Sequence, residues 1–261
     1  MVGYKDLSPL NEEIAEYGLR RTFDQVRGDM PKKTVEWESV EMSDRHAAFY
    51  DAIRKGVREE ADKIELNASN LLALTTRLRQ ATASPSILTS EAIPSSKLER
   101  AAEICEDLLA QGEKVVVMSS FKEPCSELAA RLSEFRPAVV TGDVSEDAAQ
   151  RLVAAFRDSP DSNLLICTIA RMGTGFSMPE CRYMVFVDQP WTDAAFAQAC
   201  DRIYRITSGK PVFIKCLVCR GTIDERVREI VESKRDLADY MVDGKPGSRL
   251  ADEMRKIVRE L

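Results

Sequence analysis

The 261-residue sequence has few of the groups on which enzymes build a self-contained active site. It has one histidine, His46, and it lacks the phosphate-binding pattern G-x-x-x-x-G-K-[ST], an acidic magnesium box and a G-x-G-x-x-G following a strand. A nucleotidase needs such a loop to hold phosphates, and a hydroxyl or carboxylate to hold Mg²⁺. We therefore expect this chain alone to touch a nucleotide without hydrolysing it.

Long apolar runs and paired cysteine motifs are also missing. No run approaches the roughly 20 residues of a membrane span, and the acidic N-terminus does not resemble a signal peptide. Seven cysteines, an odd number, are scattered through apolar segments, which is typical of reduced thiols in an intracellular protein. Only Cys216 and Cys219 have C-x-x-C spacing, and a zinc site needs two more ligands. The net charge of −6 argues against a wholesale polyanion binder but allows a local basic groove.

Helices and strands alternate along most of the chain. Short β-branched runs predict strands at 34–42, 114–118, 138–141, 164–167, 183–187 and 212–218. Amphipathic segments predict helices from Ser43 to about Ala81 and at 97–111, 123–134, 146–157 and 192–205, with Ser145 as the cap of the third of these four. Continuous apolar strands separated by helices indicate a parallel sheet that is covered on both faces.

A segment near position 200 has the spacing of a phosphate-binding helix. If 192–205 is helical, Gln198, Asp201, Arg202 and Arg205 share one face, because they lie at i, i+3, i+4 and i+7. The apolar residues of the opposite face are Phe196, Ala199, Cys200 and Ile203. Two guanidiniums suit a triphosphate, since each offers a planar fork of donors. A solvated face with an Asp201–Arg205 ion pair is the other interpretation.

Polar and glycine residues follow the predicted strands. The loops are Ser119-Ser120-Phe121, Gly142-Asp143, the segment from Thr168 to Gly175, and Asp188-Gln189-Pro190-Trp191. Parallel sheets bind ligands outside the carboxyl ends of their strands, so we expect one rim that carries these loops, with the Gln198–Arg205 face beside it. Gly173 and Gly175 allow close backbone approach, and Thr168 and Thr174 can donate to phosphate oxygens. Taken singly, each loop is more typical of an ordinary turn.

The order of these motifs resembles the C-terminal RecA-like lobe of Swi/Snf-type ATPases, within the superfamily 2 helicases. The resemblance covers nearly the whole chain: residues 19–22, 30–33, 78–85, 119–121 (motif IV), 141–156, 168–178 (motif V), 188–191, 198–206 (motif VI) and 221–226. Asp201 favours this family over relatives with glycine at that position. The sequence departs from the family at Ser177-Met178, where Asn-Leu is usual, and at Thr207-Ser208, where Gly-Gln is usual.

The resemblance implies an α/β fold: a RecA-like parallel sheet with helices on both faces, an N-terminal helical insertion and a C-terminal brace helix. It implies four parts, namely a segment leading in from a missing first lobe (1–42), the insertion and its connector (43–96), the RecA-like lobe (97–220), and the brace helix and tail (221–261).

The resemblance also implies roles for the nucleotide-facing residues. Arg202 and Arg205 would be arginine fingers that stabilise charge on the γ-phosphoryl of ATP, with Gln198 and Asp201 positioning them. Gly173, Thr174 and Gly175 would approach the ribose and phosphates. ATP and its Mg²⁺ would be held by the N-terminal RecA-like lobe of the same parent protein, and we expect neither to bind this chain alone.

Double-stranded DNA is the other implied partner, and no membrane is implied. Ser119, Ser120, Gly142 and Thr168 would hold the DNA backbone, with little reading of sequence. Trp191 would contact a DNA groove, although a core tryptophan is the alternative.

Three functions remain open at this point. The chain is the second motor lobe of a DNA translocase or remodeller, a non-catalytic docking module that derives from such a lobe, or a free-standing small-molecule enzyme. The arginine pair weighs against the second, and the lack of a nucleophile–base pair, metal cluster or cofactor loop weighs against the third.

Overall fold

Six parallel strands form a single sheet in the computed structural model, which describes residues 31–64, 67–173, 175–205 and 209–229. The strands are β1 (Lys33–Val40), β2 (Val115–Ser119), β3 (Ala138–Val140), β4 (Leu164–Thr168), β5 (Tyr183–Phe186) and β6 (Val212–Cys219). Their order across the sheet is β1-β6-β5-β2-β4-β3, and every neighbouring pair is parallel. The α/β class and the covered parallel sheet are therefore confirmed.

In the described ranges, six α-helices lie between these strands. They are α1 (Asp44–Ala61), α2 (Ala68–Ala83), α3 (Ser96–Ala110), α4 (Lys122–Arg131), α5 (Glu146–Asp158) and α6 (Asp193–Cys200). Residues 223–229 form a further helical segment.

Side-chain caps explain where most of these helices begin. Ser43, Asn67, Ser95, Ser145 and Thr192 each accept a hydrogen bond from the backbone N–H three residues later. Each cap satisfies one of the donors that the first turn of a helix leaves unpaired. The capping role expected for Ser145 is confirmed, and Ser43 caps the helix that was predicted to start there.

The two faces of the sheet carry separate cores, because side chains alternate along a strand. On β2, Val116 and Met118 pack into one core, whereas Val115 and Val117 pack into the other. The first core is covered by α1, α2, α5, α6 and the segment after β4. The second is covered by α3 and α4.

The segment 1–42 and the insertion 43–96 contribute to this body. β1, which lies within 1–42, pairs along its full length with β6 at the edge of the sheet. Tyr50 and Val57 of α1 and Leu71 of α2 lie in the same core as the strands. The helical insertion therefore belongs to the layer of helices that covers the first core. The division of the chain into four parts stays a prediction.

The helix expected over 192–205 is shorter than its sequence pattern suggests. α6 ends at Cys200, and residues 201–204 continue as turns. The apolar face was placed correctly, since Phe196, Ala199, Cys200 and Ile203 are all buried in the first core. Asp201, Arg202 and Arg205 are therefore presented by a turn and not by a helical face.

Some predicted features lie outside the described residues. They are the motif residues at 19–22, Met30, Thr174, Ile206 to Ser208, and the brace helix beyond residue 229. Within the part of the chain that is described, no helix is long and apolar enough to cross a membrane.

Candidate functional site

The carboxyl ends of the strands form the expected rim. Ser119 and Ser120 follow or end β2, Gly142 follows β3, Thr168 ends β4, and Asp188 follows β5. Parallel strands place these ends at one edge of the sheet, where the central strands β5, β2 and β4 are neighbours. The loops that sequence analysis grouped together are therefore adjacent in the fold.

Asp188 is the centre of this edge. Its side chain is almost fully buried and accepts hydrogen bonds from the Ser119 hydroxyl and, at 3.0 and 3.1 Å, from the backbone N–H of Ser120. The Arg79 guanidinium, which reaches in from α2, makes an ion pair with Asp188 at 3.1 Å. A carboxylate in this position ties the loop after β2 to the loop after β5.

Arg79 is the residue that sequence analysis missed. Its Nη2 donates to the Ser120 hydroxyl at 3.0 Å, to Asp188, and to the backbone carbonyl of Gln189. Its guanidinium carbon lies 4.8 Å from the centre of the Trp191 ring and 5.6 Å from that of Phe121. Burial lowers the pKa of Arg79, and the Asp188 carboxylate opposes that effect. The Leu78-Arg79-Gln80 motif was the available signal, but nothing in the sequence pairs it with Asp188.

The predicted DNA contacts fall into two groups by exposure. Gly142 is exposed, and Ser120 and Trp191 are partly exposed. Ser119 and Thr168 are buried, and the Ser119 hydroxyl is engaged by Asp188 and by the backbone N–H of Phe121. Ser119 therefore lies beneath the surface, where its hydroxyl holds the loops after β2 and β5 together.

The arginines of motif VI lie in a second cluster, with Asp201 and Lys33. Arg202 is buried, its Nη1 donates to the Phe176 carbonyl at 3.1 Å, and its own carbonyl accepts from the Met178 N–H at 2.8 Å. Burial lowers the pKa of Arg202, and the charge of Arg205 lowers it further.

Asp201 is half-buried among these cations. Burial raises the pKa of its carboxyl group, while the positive charges of Lys33, Arg205 and Arg202 act in the opposite direction. The Lys33 ammonium also lies 5.0 Å from the centre of the Tyr204 ring, next to Arg205 in the chain. Lys33, which was noted only as part of a motif, is thus a third cation of the cluster.

The two clusters do not share one rim, which corrects the expectation from sequence. α6 starts after the carboxyl end of β5 and leads back toward the amino end of β6, where Lys33 pairs with Val212. The arginines follow the far end of this helix, so they lie toward the amino ends of β1 and β6. These are two surfaces linked by α6. The first, the polar edge, consists of Ser119, Ser120, Gly142, Thr168, Asp188 and Trp191. The second, the arginine cluster, consists of Lys33, Asp201, Arg202 and Arg205.

The remaining nucleotide candidates border the segment between β4 and β5. Gly173 ends a short 3₁₀ turn, and Gly175 has a φ of 77°, a conformation that side chains with a Cβ rarely adopt. Phe176 and Met178, which contact Arg202, follow directly. Gln198 lies in the last turn of α6.

Cysteine and acidic residues do not assemble into a metal site in the described ranges. No group of three or more His, Cys, Asp or Glu side chains there is placed to hold an ion. All seven cysteines are buried, and none forms a disulfide. Cys216 and Cys219 are three residues apart on β6, so they point to opposite faces of the sheet and cannot chelate one metal together.

Comparisons with known proteins agree with this architecture. The family model described as "Helicase conserved C-terminal domain" matches residues 96–207, and the one described as "SNF2-related domain" matches residues 2–87. The putative ATP-dependent helicase/translocase YwqA of Bacillus subtilis is 26% identical over 252 residues, which cover 91% of this chain and 27% of the relative. The chain spans about a quarter of the length of the curated relatives it matches.

Solved structures share the fold. The C-terminal part of the Fun30 ATPase domain superimposes with a TM-score of 0.70 at 18% identity, covering 89% of this chain and 100% of that one. The Sulfolobus solfataricus SWI2/SNF2 ATPase core in complex with double-stranded DNA gives 0.67 at 22% identity, covering 90% and 52%. The two family matches lie side by side along the sequence and, together with the relatives, support a C-terminal lobe of a Snf2-type helicase, with the RecA-like fold that the solved structures share.

Proposed function

We propose that this lobe is the second half of an ATP-dependent motor that translocates on or remodels double-stranded DNA. In that role Arg202 and Arg205 act as arginine fingers toward ATP that a first lobe holds together with its Mg²⁺. Gln198 and Asp201 position the fingers, and Gly173 to Gly175 border the ribose and phosphates. The nucleotide supplies the phosphoryl group whose negative charge the guanidiniums stabilise.

The observation that carries this proposal is the like-charged cluster of Lys33, Arg202 and Arg205. Cations that are held close together lower each other's pKa, and an anion placed among them relieves that repulsion. Asp201, which is half-buried among these cations, is the carboxylate of the cluster. A polyphosphate matches this charge pattern, and guanidiniums bind its oxygens in pairs.

The two arginines differ in exposure, and we propose different roles for them in stabilising the charge on the phosphates. Arg202 is buried and held by the Phe176 carbonyl, which fixes its direction. Arg205 is partly exposed and stands at the end of the turn, where it can reach across a cleft between lobes. We therefore assign the larger share of charge stabilisation to Arg205.

DNA is proposed to run over the polar edge. Ser120, Gly142 and Trp191 offer a hydroxyl, a backbone amide and a ring at the accessible surface, while Ser119 and Thr168 support them from within. Contacts of this kind bind the backbone with little dependence on base sequence. The archaeal structure with the same fold contains double-stranded DNA, which supports this choice of partner.

The test is ATP hydrolysis by the full parent protein, with and without duplex DNA. Arg205→Ala is expected to lower the DNA-stimulated rate by about 10³–10⁵-fold, the range for arginine fingers. Arg205→Lys keeps the charge but loses the planar fork of donors, so we expect its rate of ATP hydrolysis to be almost as low as that of Arg205→Ala. The matched control is Arg157→Ala on α5, an exposed arginine paired with its neighbour Asp158.

We expect the 261-residue chain alone to be inactive. A wild-type rate for Arg205→Ala would refute the assignment, and a full-length protein without ATP turnover would favour a docking module.

A further inference from the structure

Helix α2 sends one buried arginine into the edge that we propose for DNA. Arg79 and Asp188 have side-chain exposures of only 6% and 2%. The arginine lies in the last turns of α2, whereas Asp188 belongs to the loop after β5, 109 residues later. A single guanidinium thus joins the helical insertion to the strand-end loops.

This guanidinium contacts Ser120, Trp191 and the loop that leads to Trp191. Nη2 donates to the Ser120 hydroxyl, to the Asp188 carboxylate and to the carbonyl of Gln189, two residues before the tryptophan. The guanidinium carbon also lies 4.8 Å from the centre of the Trp191 ring. A desolvated cation–aromatic contact is attractive, so it favours the ring position that preserves it.

The indole ring lies between the first core and the Arg79 guanidinium. It packs partly buried against the first core, and its N–H has no hydrogen-bond partner among the described residues. Trp191 follows Pro190 in a loop, so no helix or strand fixes its backbone. Its orientation therefore depends on the core edge beneath it and on Arg79 beside it.

We propose that Arg79 is a positioning residue for the DNA-facing edge, which holds Trp191 and Ser120 in the orientation that DNA requires. The inference rests on the function proposed above, because it takes DNA as the ligand of this edge. It adds that the helical insertion, through α2, sets the geometry of a surface formed by β2 and β5. Arg79 acts through these two residues and does not itself touch DNA.

Tryptophan fluorescence tests the positioning without DNA or ATP. The chain has two tryptophans, so the Trp37→Phe variant reports on Trp191 alone. Trp37 stacks on Phe196, and phenylalanine preserves that contact. In this background, Arg79→Lys keeps a charge for Asp188 but loses the planar guanidinium beside the Trp191 ring. We expect a red-shifted Trp191 emission and stronger quenching by acrylamide, with an unchanged far-ultraviolet spectrum.

A second readout is the affinity for a fluorescein-labelled DNA duplex. Arg79→Lys is expected to weaken binding about tenfold, the equivalent of one cation–aromatic contact. Trp191→Phe is also expected to weaken binding, and the loss in the double variant should be smaller than the sum of the two single losses, because Arg79 acts in part through the Trp191 ring. Additive losses would show that Arg79 acts independently and would overturn the proposal.

The matched control is Arg77→Lys. Arg77 lies on the same helix, but it is 46% exposed and pairs with Glu60 at 2.6 Å, away from the edge. It should change neither the emission nor the affinity. If Arg79→Lys destabilises the fold, the paired variant Arg79→Met with Asp188→Asn removes both buried charges together and preserves the test.

The two readouts separate the two proposals. Unchanged Trp191 emission and quenching in a folded Arg79 variant would refute the positioning role. A changed emission with unaltered duplex affinity would support the positioning of Trp191, and it would count against DNA as the ligand of the edge.

Discussion

His46, the single histidine, is buried completely and links its own helix, α1, to α2 and α3. Its Nε2 donates to the Ala81 carbonyl at 2.9 Å, and its Nδ1 accepts from the Ser96 N–H at 3.2 Å. Burial lowers the pKa of His46 below its ordinary value of 6.5. The unfolded chain therefore binds a proton at a higher pH than the folded one, and the free energy of unfolding should fall as the pH drops below about 6.5.

Urea unfolding at a series of pH values checks this expectation. Burial is the largest effect on the pKa of His46; the charge of Lys97 also lowers this pKa, whereas the charges of Asp224 and Glu99 raise it. In His46→Gln the amide can still donate and accept but does not titrate, so the loss of stability between about pH 7 and pH 5.5 should be smaller than in the wild type. Parallel curves for the two proteins would show that His46 does not contribute.

At the scale of elements, the helical segment that begins at 223 is held by one carboxylate. Asp224 pairs with the fully buried Lys97 at 2.5 Å and accepts from the Thr82 hydroxyl at 2.9 Å and the Cys219 N–H at 3.0 Å. Burial would lower the pKa of Lys97, but the Asp224 charge raises it above its usual value. Asp224 thus joins α2, the start of α3 and the end of β6.

Asp224→Asn should lower the free energy of unfolding by about 3–5 kcal/mol, because it leaves the buried ammonium of Lys97 without a counter-charge. Adding Lys97→Met should recover part of the loss. Glu41→Gln, which breaks the exposed Arg220–Glu41 pair, is the control and should leave the unfolding midpoint almost unchanged. A loss no greater than that of the control would contradict a stabilising role for the buried pair.

Most elements could be predicted from the sequence, because each has its own hydrophobic period and its own cap. The strands and α3 to α5 lie close to their expected positions. α6 is the exception, since its helical pattern continues to Arg205 although the helix ends at Cys200. A tertiary contact explains the difference: the Arg202 carbonyl accepts from the Met178 N–H, a partner that no local pattern can indicate.

Only part of the candidate site, likewise, could be predicted from the sequence. The strand-end loops and the motif VI residues could be found from sequence, because they form local motifs beside predicted elements. The Arg79–Asp188 pair could not, since its members are 109 residues apart. The separation of the two clusters was also missed, because it depends on the direction in which α6 crosses the sheet.

At the scale of the whole molecule, the helical insertion and the sheet share one core. Leu71, Leu74 and Leu78 of α2 are buried among strand residues such as Met118 and Phe186. The ion pair of Arg79 and the contacts of Asp224 cross the same boundary. These buried contacts make the insertion and the sheet one packed body, in which α2 is joined directly to the polar edge.

We therefore expect residues 43–96 and the rest of the sheet to unfold in one transition. Leu71→Ala should lower the free energy of unfolding by about 2–5 kcal/mol, since it opens a cavity in the shared core. The neighbouring Leu72 is 46% exposed, so Leu72→Ala is the control and should have little effect. Fluorescence of Trp37 on β1 and of Trp191 at the polar edge, followed with circular dichroism, should give coincident midpoints in both variants. If Leu71→Ala shifts only part of the dichroism signal and leaves both tryptophan transitions in place, the insertion is a separate domain.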